Sequence, residues 1–81
     1  RTVLGPNVRI DKWSQVSDSV LMDGARVGRD AVVRRAILDK HVLVEDGAQI
    51  GVDHDHDRDR GFHVSPSGVV VVGKDKVVPR D

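Results

Sequence analysis

The sequence has no cysteine and no tyrosine, and its only aromatic residues are Trp13 and Phe62. Without cysteine there is neither a disulfide framework nor a thiolate metal site, the usual supports of a small domain, and a reducing compartment is the matching environment. Two aromatics are too few for a base-stacking platform on single-stranded nucleic acid. Net charge is missing as well. The 13 Lys and Arg balance the 13 Asp and Glu, so no strong field draws the chain to nucleic acid or to a membrane surface. No apolar run is long enough to cross a bilayer, and the first residues carry no signal-peptide pattern. The expected partners therefore include neither nucleic acid nor membrane, and the expected location is the cytoplasm.

What is present is a repeat. Large aliphatic residues stand at Leu4, Ile10, Val16, Leu21, Val27, Val33, Leu38, Val44 and Ile50, spaced six, six, five, so the pattern returns every seventeen residues. Four positions after each come Val8, Ser14, Val20, Ala25, Ala31, Ile37, Val42 and Ala48; after Ile50 the place falls on His54 and the pattern stops. A fixed internal period built from hexapeptides reads as a parallel β-helix. Each unit forms a short strand and a turn, and three units close one triangular coil. Coils then stack at the inter-strand spacing of about 4.8 Å. An α-helix is excluded, because the apolar positions do not follow a 3.6-residue period and β-branched residues dominate.

This register predicts three inward columns: Leu4, Leu21 and Leu38; Ile10, Val27 and Val44; Val16, Val33 and Ile50. Within Val27–Lys40, the plainest stretch of the repeat, the expected inward set is Val27, Ala31, Val33, Ile37 and Leu38. Gly5, Gly24, Gly28, Gly47 and Gly51 fall at corners, where positive φ suits glycine. Trp13 lies at a corner of the first coil and is read as a packing residue toward another domain or chain. The repeat is entered almost at Arg1, and an uncovered first coil offers open strand edges. The expectation is a piece of a longer polypeptide whose upstream part, or a partner chain, covers that end.

The chain then divides into the repeat at 1–52, a charged segment at 53–61, and a hairpin with tail at 62–81, all within one domain. Asp53 to Arg60 alternates acidic residues with histidine or arginine. A metal site at His54 and His56 lacks a third histidine in a defined place, so a solvated loop or short helical turn with local ion pairs is the favoured reading. Phe62-His63-Val64, then Ser65-Pro66-Ser67-Gly68, then four valines predict a β-hairpin anchored by Phe62. Lys74, Lys76 and Arg80 follow as a basic tail.

The run Val32-Val33-Arg34-Arg35-Ala36-Ile37-Leu38-Asp39-Lys40 resembles the C-terminal domain of bacterial, actinobacterial-like, glucose-1-phosphate adenylyltransferases (ADP-glucose pyrophosphorylases). Ile50-Gly51, the Asp-rich segment, Phe62 and the ending Gly68-Val69-Val70-Val71-Val72 follow in the same order, so the resemblance spans nearly the whole chain. It implies an all-β, left-handed parallel β-helix of about three coils with a C-terminal β-hairpin. It also implies a parent enzyme that makes ADP-glucose and pyrophosphate from ATP and glucose 1-phosphate, for glycogen synthesis. ATP and Mg²⁺ belong to that enzyme's N-terminal catalytic domain, so this segment carries no catalytic residue, cofactor or metal of its own.

The resemblance further implies assembly into a homotetramer and allosteric control by phosphorylated metabolites, bound where the β-helix meets the catalytic domain. On the motif, Lys40 and Lys74 are the activator contacts, with Arg34, Arg35 and Arg60 as neighbours and Lys76 and Arg80 as further basic candidates. Two other readings remain at this stage. One is a hexapeptide acyltransferase using His41 as general base; the other is a purely structural assembly module in which these cations are surface charges.

Overall fold

Each large aliphatic residue of the repeat sits in a strand of two or three residues, and the residues between the strands form the corners. Residues 1–80 are described by a computed structural model. The first coil holds β1 (Val3–Leu4), β2 (Arg9–Ile10) and β3 (Gln15–Ser17); the second holds β4 (Val20–Leu21), β5 (Arg26–Val27) and β6 (Val32–Arg34). The third holds β7 (Ala36–Leu38), β8 (Leu43–Val44) and β9 (Gln49–Ile50). Strands seventeen residues apart pair in parallel, with Leu4 on Leu21, Val27 on Val44 and Val33 on Ile50. This is the left-handed β-helix fold.

The inward columns are the core. Leu21, Leu38, Val27, Val44, Val33 and Ile50 are buried, together with the small corner residues Ala25, Ala31, Val42 and Ala48. Four expected inward residues are not buried: Leu4 and Ile10, at the first coil, are exposed, and Val16 and Ile37 are half-buried. Ile37 lies between buried Ala36 and buried Leu38 on β7, and strand alternation turns it outward, where it is only half-buried. The inward corner places belong instead to Ala36 and Ser19. Because the third unit has five residues rather than six, the corner residue comes one position earlier. Ser19 keeps its hydroxyl satisfied there, donating to the Ser17 carbonyl at 2.7 Å and accepting from the Ala36 N–H at 3.2 Å.

The corners also differ from the glycine expectation. Gly24, Gly47 and Gly51 have positive φ, but Gly5 and Gly28 do not. Most left-handed corner positions are held by other residues: Asn7, Trp13, Asp18, Asp30, Arg35, His41 and Asp75. Glycine is needed for space at Gly51, where a Cβ would run into the Arg34 carbonyl.

After Ile50 the chain leaves the coil and forms helix α1 (His54–Asp59). Asp53 caps it, its carboxylate accepting the N–H groups of Asp55 at 3.1 Å and His56 at 3.2 Å. Exchanging Asp53 for alanine is expected to cost about 1 kcal/mol, read as a shift of the urea midpoint with unchanged slope. An unmoved midpoint would mean the cap contributes nothing.

The hairpin follows as expected, with β10 (His63–Val64) antiparallel to β11 (Val70–Val72). The stretch beyond Gly73, expected as a free tail, is a correction. Strand β11 lies parallel on β7, and after one more corner β12 (Val77–Val78) lies parallel on β8. The β-helix therefore runs into a fourth, partial coil, because Val72 and Val78 complete the columns of Leu38 and Val44. Asp81, the last residue of the 62–81 segment, lies outside the described residues.

Candidate functional site

The strand register decides which of the basic residues meet. Val72 pairs with Leu38, and two residues further on Lys74 comes to lie over Lys40. The Asp75 N–H donates to the Lys40 carbonyl at 3.0 Å and closes this rung of the corner. Two exposed lysines thus occupy one corner on adjacent coils, about 4.8 Å apart along the backbone. Among the described residues neither ammonium group has a carboxylate within salt-bridge distance. Like charges placed opposite each other on neighbouring strands repel. A phosphate between them would turn that repulsion into paired charge-assisted hydrogen bonds.

His41 and Asp75 are the next rung of the same corner, both with positive φ. His41 Nδ1 is 3.5 Å from Asp75 Oδ1, and its ring lies over Gly24, which has no side chain to obstruct it. Sequence reading named His41 only as the base of an acyltransferase and did not connect it with Asp75. The signal was there: His41 follows Lys40 and Asp75 follows Lys74 at the same interval, two repeat periods. His41 is well exposed on a convex corner and paired to a carboxylate.

The arginines lie elsewhere. Arg34 ends β6 and Arg35 forms the following corner, separated from Lys40 by the full length of β7, roughly 16 Å at about 3.3 Å per residue. Arg35 donates through Nη2 to the Ser67 carbonyl at 2.7 Å, tying the hairpin turn to the coil.

Arg60 is a second correction. Its side chain is nearly buried and already engaged: Nη2 donates to the Gln49 carbonyl at 2.7 Å and to Asp57, and Nη1 donates to the Pro79 carbonyl at 3.1 Å. The guanidinium also lies over the Phe62 ring, 5.2 Å from its centroid. A group so committed is a strut between α1, β9 and the last coil, with nothing left to offer a dissolved anion. Lys76 and Arg80 flank β12; the Arg80 N–H donates to Glu45 at 3.1 Å. Among the described residues, the strand register brings Lys40 and Lys74 together on adjacent coils at this corner.

The acidic segment spends its carboxylates locally. Asp53 caps α1, Asp55 pairs with Arg58, and Asp57 accepts from Gly51 N–H and Arg60. Among the described residues no three His, Asp or Glu side chains converge as a cation site would need.

Comparison with known proteins bears on what such a corner serves. The family profile described as GlmU-like, C-terminal hexapeptide matches residues 1–72. The glucose-1-phosphate adenylyltransferase of Cutibacterium acnes is 62% identical over 79 residues, covering 98% of this chain and 19% of the relative. That of a Parafrankia species is 58% identical over 74 residues, covering 91% and 18%. That of Bifidobacterium adolescentis is 53% identical over 77 residues, covering 95% and 19%. The chain thus spans about a fifth of the length of these relatives, matching their C-terminal part.

Proposed function

This chain belongs to the GlmU-like C-terminal hexapeptide family, and from that premise we propose that it is the regulatory and assembly domain of a glucose-1-phosphate adenylyltransferase. In this reading the parent enzyme joins ATP and glucose 1-phosphate into ADP-glucose and pyrophosphate for glycogen synthesis in the cytoplasm. Catalysis, with ATP and Mg²⁺, belongs to an N-terminal domain outside this chain. The β-helix contributes to a homotetramer and carries part of an activator site for phosphorylated metabolites.

The observation that supports the regulatory part is the in-register pair Lys40 and Lys74, neither of which has a carboxylate partner among the described residues. A phosphate held by both draws on two charge-assisted hydrogen bonds. Binding shifts activity only if the pair holds the phosphate more tightly in the active state than in the inactive one. The β7–β11 ladder fixes the backbone spacing of Lys40 and Lys74, so the difference between states must come from the groups the catalytic domain brings to this corner.

The test uses the full-length enzyme with Lys40→Ala and Lys74→Ala, assayed against a panel of sugar phosphates and inorganic phosphate. Each substitution is expected to raise the half-activating concentration about tenfold, the equivalent of about 1.4 kcal/mol. Unstimulated turnover and tetramer mass should stay as they were. An unchanged response with intact tetramers would leave the lysines as surface charges and favour the purely structural module.

A further inference from the structure

One corner of the prism continues from coil to coil, and its charge reverses along the way. The Gly24 N–H donates to the Pro6 carbonyl at 3.2 Å, that of His41 to Asp23 at 3.0 Å and that of Asp75 to Lys40 at 3.0 Å. Two rows of residues therefore stack side by side: Pro6, Asp23, Lys40 and Lys74 in the first, and Asn7, Gly24, His41 and Asp75 in the second. Every residue of the second row has a positive φ. Glycine, asparagine, aspartate and histidine take that backbone more readily than other residues, so the row fits its corner.

The imidazole in this row is bracketed. A Cβ on Gly24 would come 2.5 Å from its Cδ2 and 3.1 Å from its Nε2, so that edge rests against the bare second coil. The other edge turns toward the fourth coil, with Nδ1 3.5 Å from Asp75 Oδ1. That separation is within ion-pair range but longer than an ordinary hydrogen bond. A neutral imidazole gains little from a carboxylate so placed, whereas an imidazolium gains a counter-ion.

The neighbours decide what a proton there would do. On the second coil Asp23 accepts from Asn7 Nδ2 at 3.1 Å, and on the third Asp39 accepts the Lys40 N–H at 2.7 Å. On the fourth, Lys76 leans back on Gly73, and Asp75 directly follows Lys74. Among the described residues the Asp75 carboxylate has His41 as its one side-chain partner. It stands one peptide from Lys74 and one rung from Lys40, so without a counter-ion it competes with a dissolved anion for both ammonium groups. Of the side-chain types gathered at this corner, only imidazole changes charge between about pH 5 and 8.

We propose that His41 is a positioning residue of the phosphate site, and that its proton sets how tightly Lys40 and Lys74 hold a phosphorylated ligand. Protonated, it neutralises Asp75 and leaves both ammonium groups to the ligand. Deprotonated, it leaves Asp75 to repel the ligand's oxygens. Binding and protonation then favour each other, as linkage requires, and the site tightens as pH falls. The inference rests on the lysine corner being the activator site, and adds its control by pH. At an exposed corner one unit charge on a neighbouring side chain changes affinity about fivefold.

The test is calorimetric binding of inorganic sulfate, a tetrahedral dianion whose own charge stays fixed, to the full-length enzyme at about pH 6 and about pH 8. The component lost in Lys40→Ala belongs to the corner. In the unsubstituted enzyme that component should tighten about fivefold toward the lower pH. His41→Asn, which suits the same backbone, should keep the weak value at both. Asp75→Asn should bind at the higher pH at least as tightly as the unsubstituted enzyme does at the lower. Tightening that survives in His41→Asn would overturn the inference while leaving the lysines as an anion site. So would a lowered melting temperature in both variants with the pH response intact, which would make the pair a tie between coils. Sulfate binding that Lys40→Ala leaves unweakened at both pH values would bring down the activator reading itself, and this inference with it.

Discussion

Exchanging Asp57 for alanine is expected to lower the unfolding free energy by about 3–5 kcal/mol, the cost of stranding one partner of a buried ion pair. Asp57 is 1% exposed and carries two duties. One oxygen accepts the Gly51 N–H at 2.9 Å, where the chain leaves the third coil, and the other accepts from Arg60. Without it, the Arg60 guanidinium stays enclosed with only the Gln49 and Pro79 carbonyls as partners, and its Nε already lacks one among the described residues. The Gly51 N–H loses its acceptor in the same step. Urea unfolding of the single variant and of Asp57→Ala/Arg60→Met separates these effects. The double variant should lose less than the sum of the two singles, with a coupling above about 1 kcal/mol. A loss below about 1 kcal/mol for Asp57→Ala alone would mean the pair is not buried in solution.

That strut also shows where sequence reading stops. The coils were legible because their inward residues repeat at a fixed interval, and each column needs only its own register to be recognised. Asp57 and Arg60 belong to no repeat. They stand among eight residues that alternate aspartate with histidine or arginine, and nothing local distinguishes the pair that packs against Gly51 and Phe62 from neighbours that stay in water. Arg60 therefore read as an available cation and proved to be a strut. The fourth coil was missed for another reason. Val72 and Val78 stand two full periods beyond Leu38 and Val44, but the intervening helix and hairpin interrupt the spacing, so an interval-by-interval count ends at His54. Ile37 was misplaced by one position, because the five-residue unit brings the corner forward and strand alternation then turns its side chain out. The lysine corner follows from the same two-period relation. Once Val72 is placed on Leu38, Lys74 must lie over Lys40.

A second large effect is expected in the core, and its size should depend on where along a column the deletion falls. Leu38→Ala removes a fully buried side chain stacked between Leu21 and Val72, and should cost about 2–5 kcal/mol as transfer plus cavity. The neighbouring coils cannot close in, because their spacing is held by the ladders on both sides. In the 81-residue chain Leu4→Ala occupies the same column at its exposed end, where half the side chain already meets water. Its cost there should be less than half that of Leu38→Ala, since less area is returned to solvent and no cavity forms. Urea midpoints for both variants measure this. Equal costs for Leu4→Ala and Leu38→Ala would show that the column is packed alike at its exposed end and in its middle. Because a solenoid's stability is a sum of coils and their nearest-neighbour interfaces, the contrast between the two leucines reports on how completely each interface is packed.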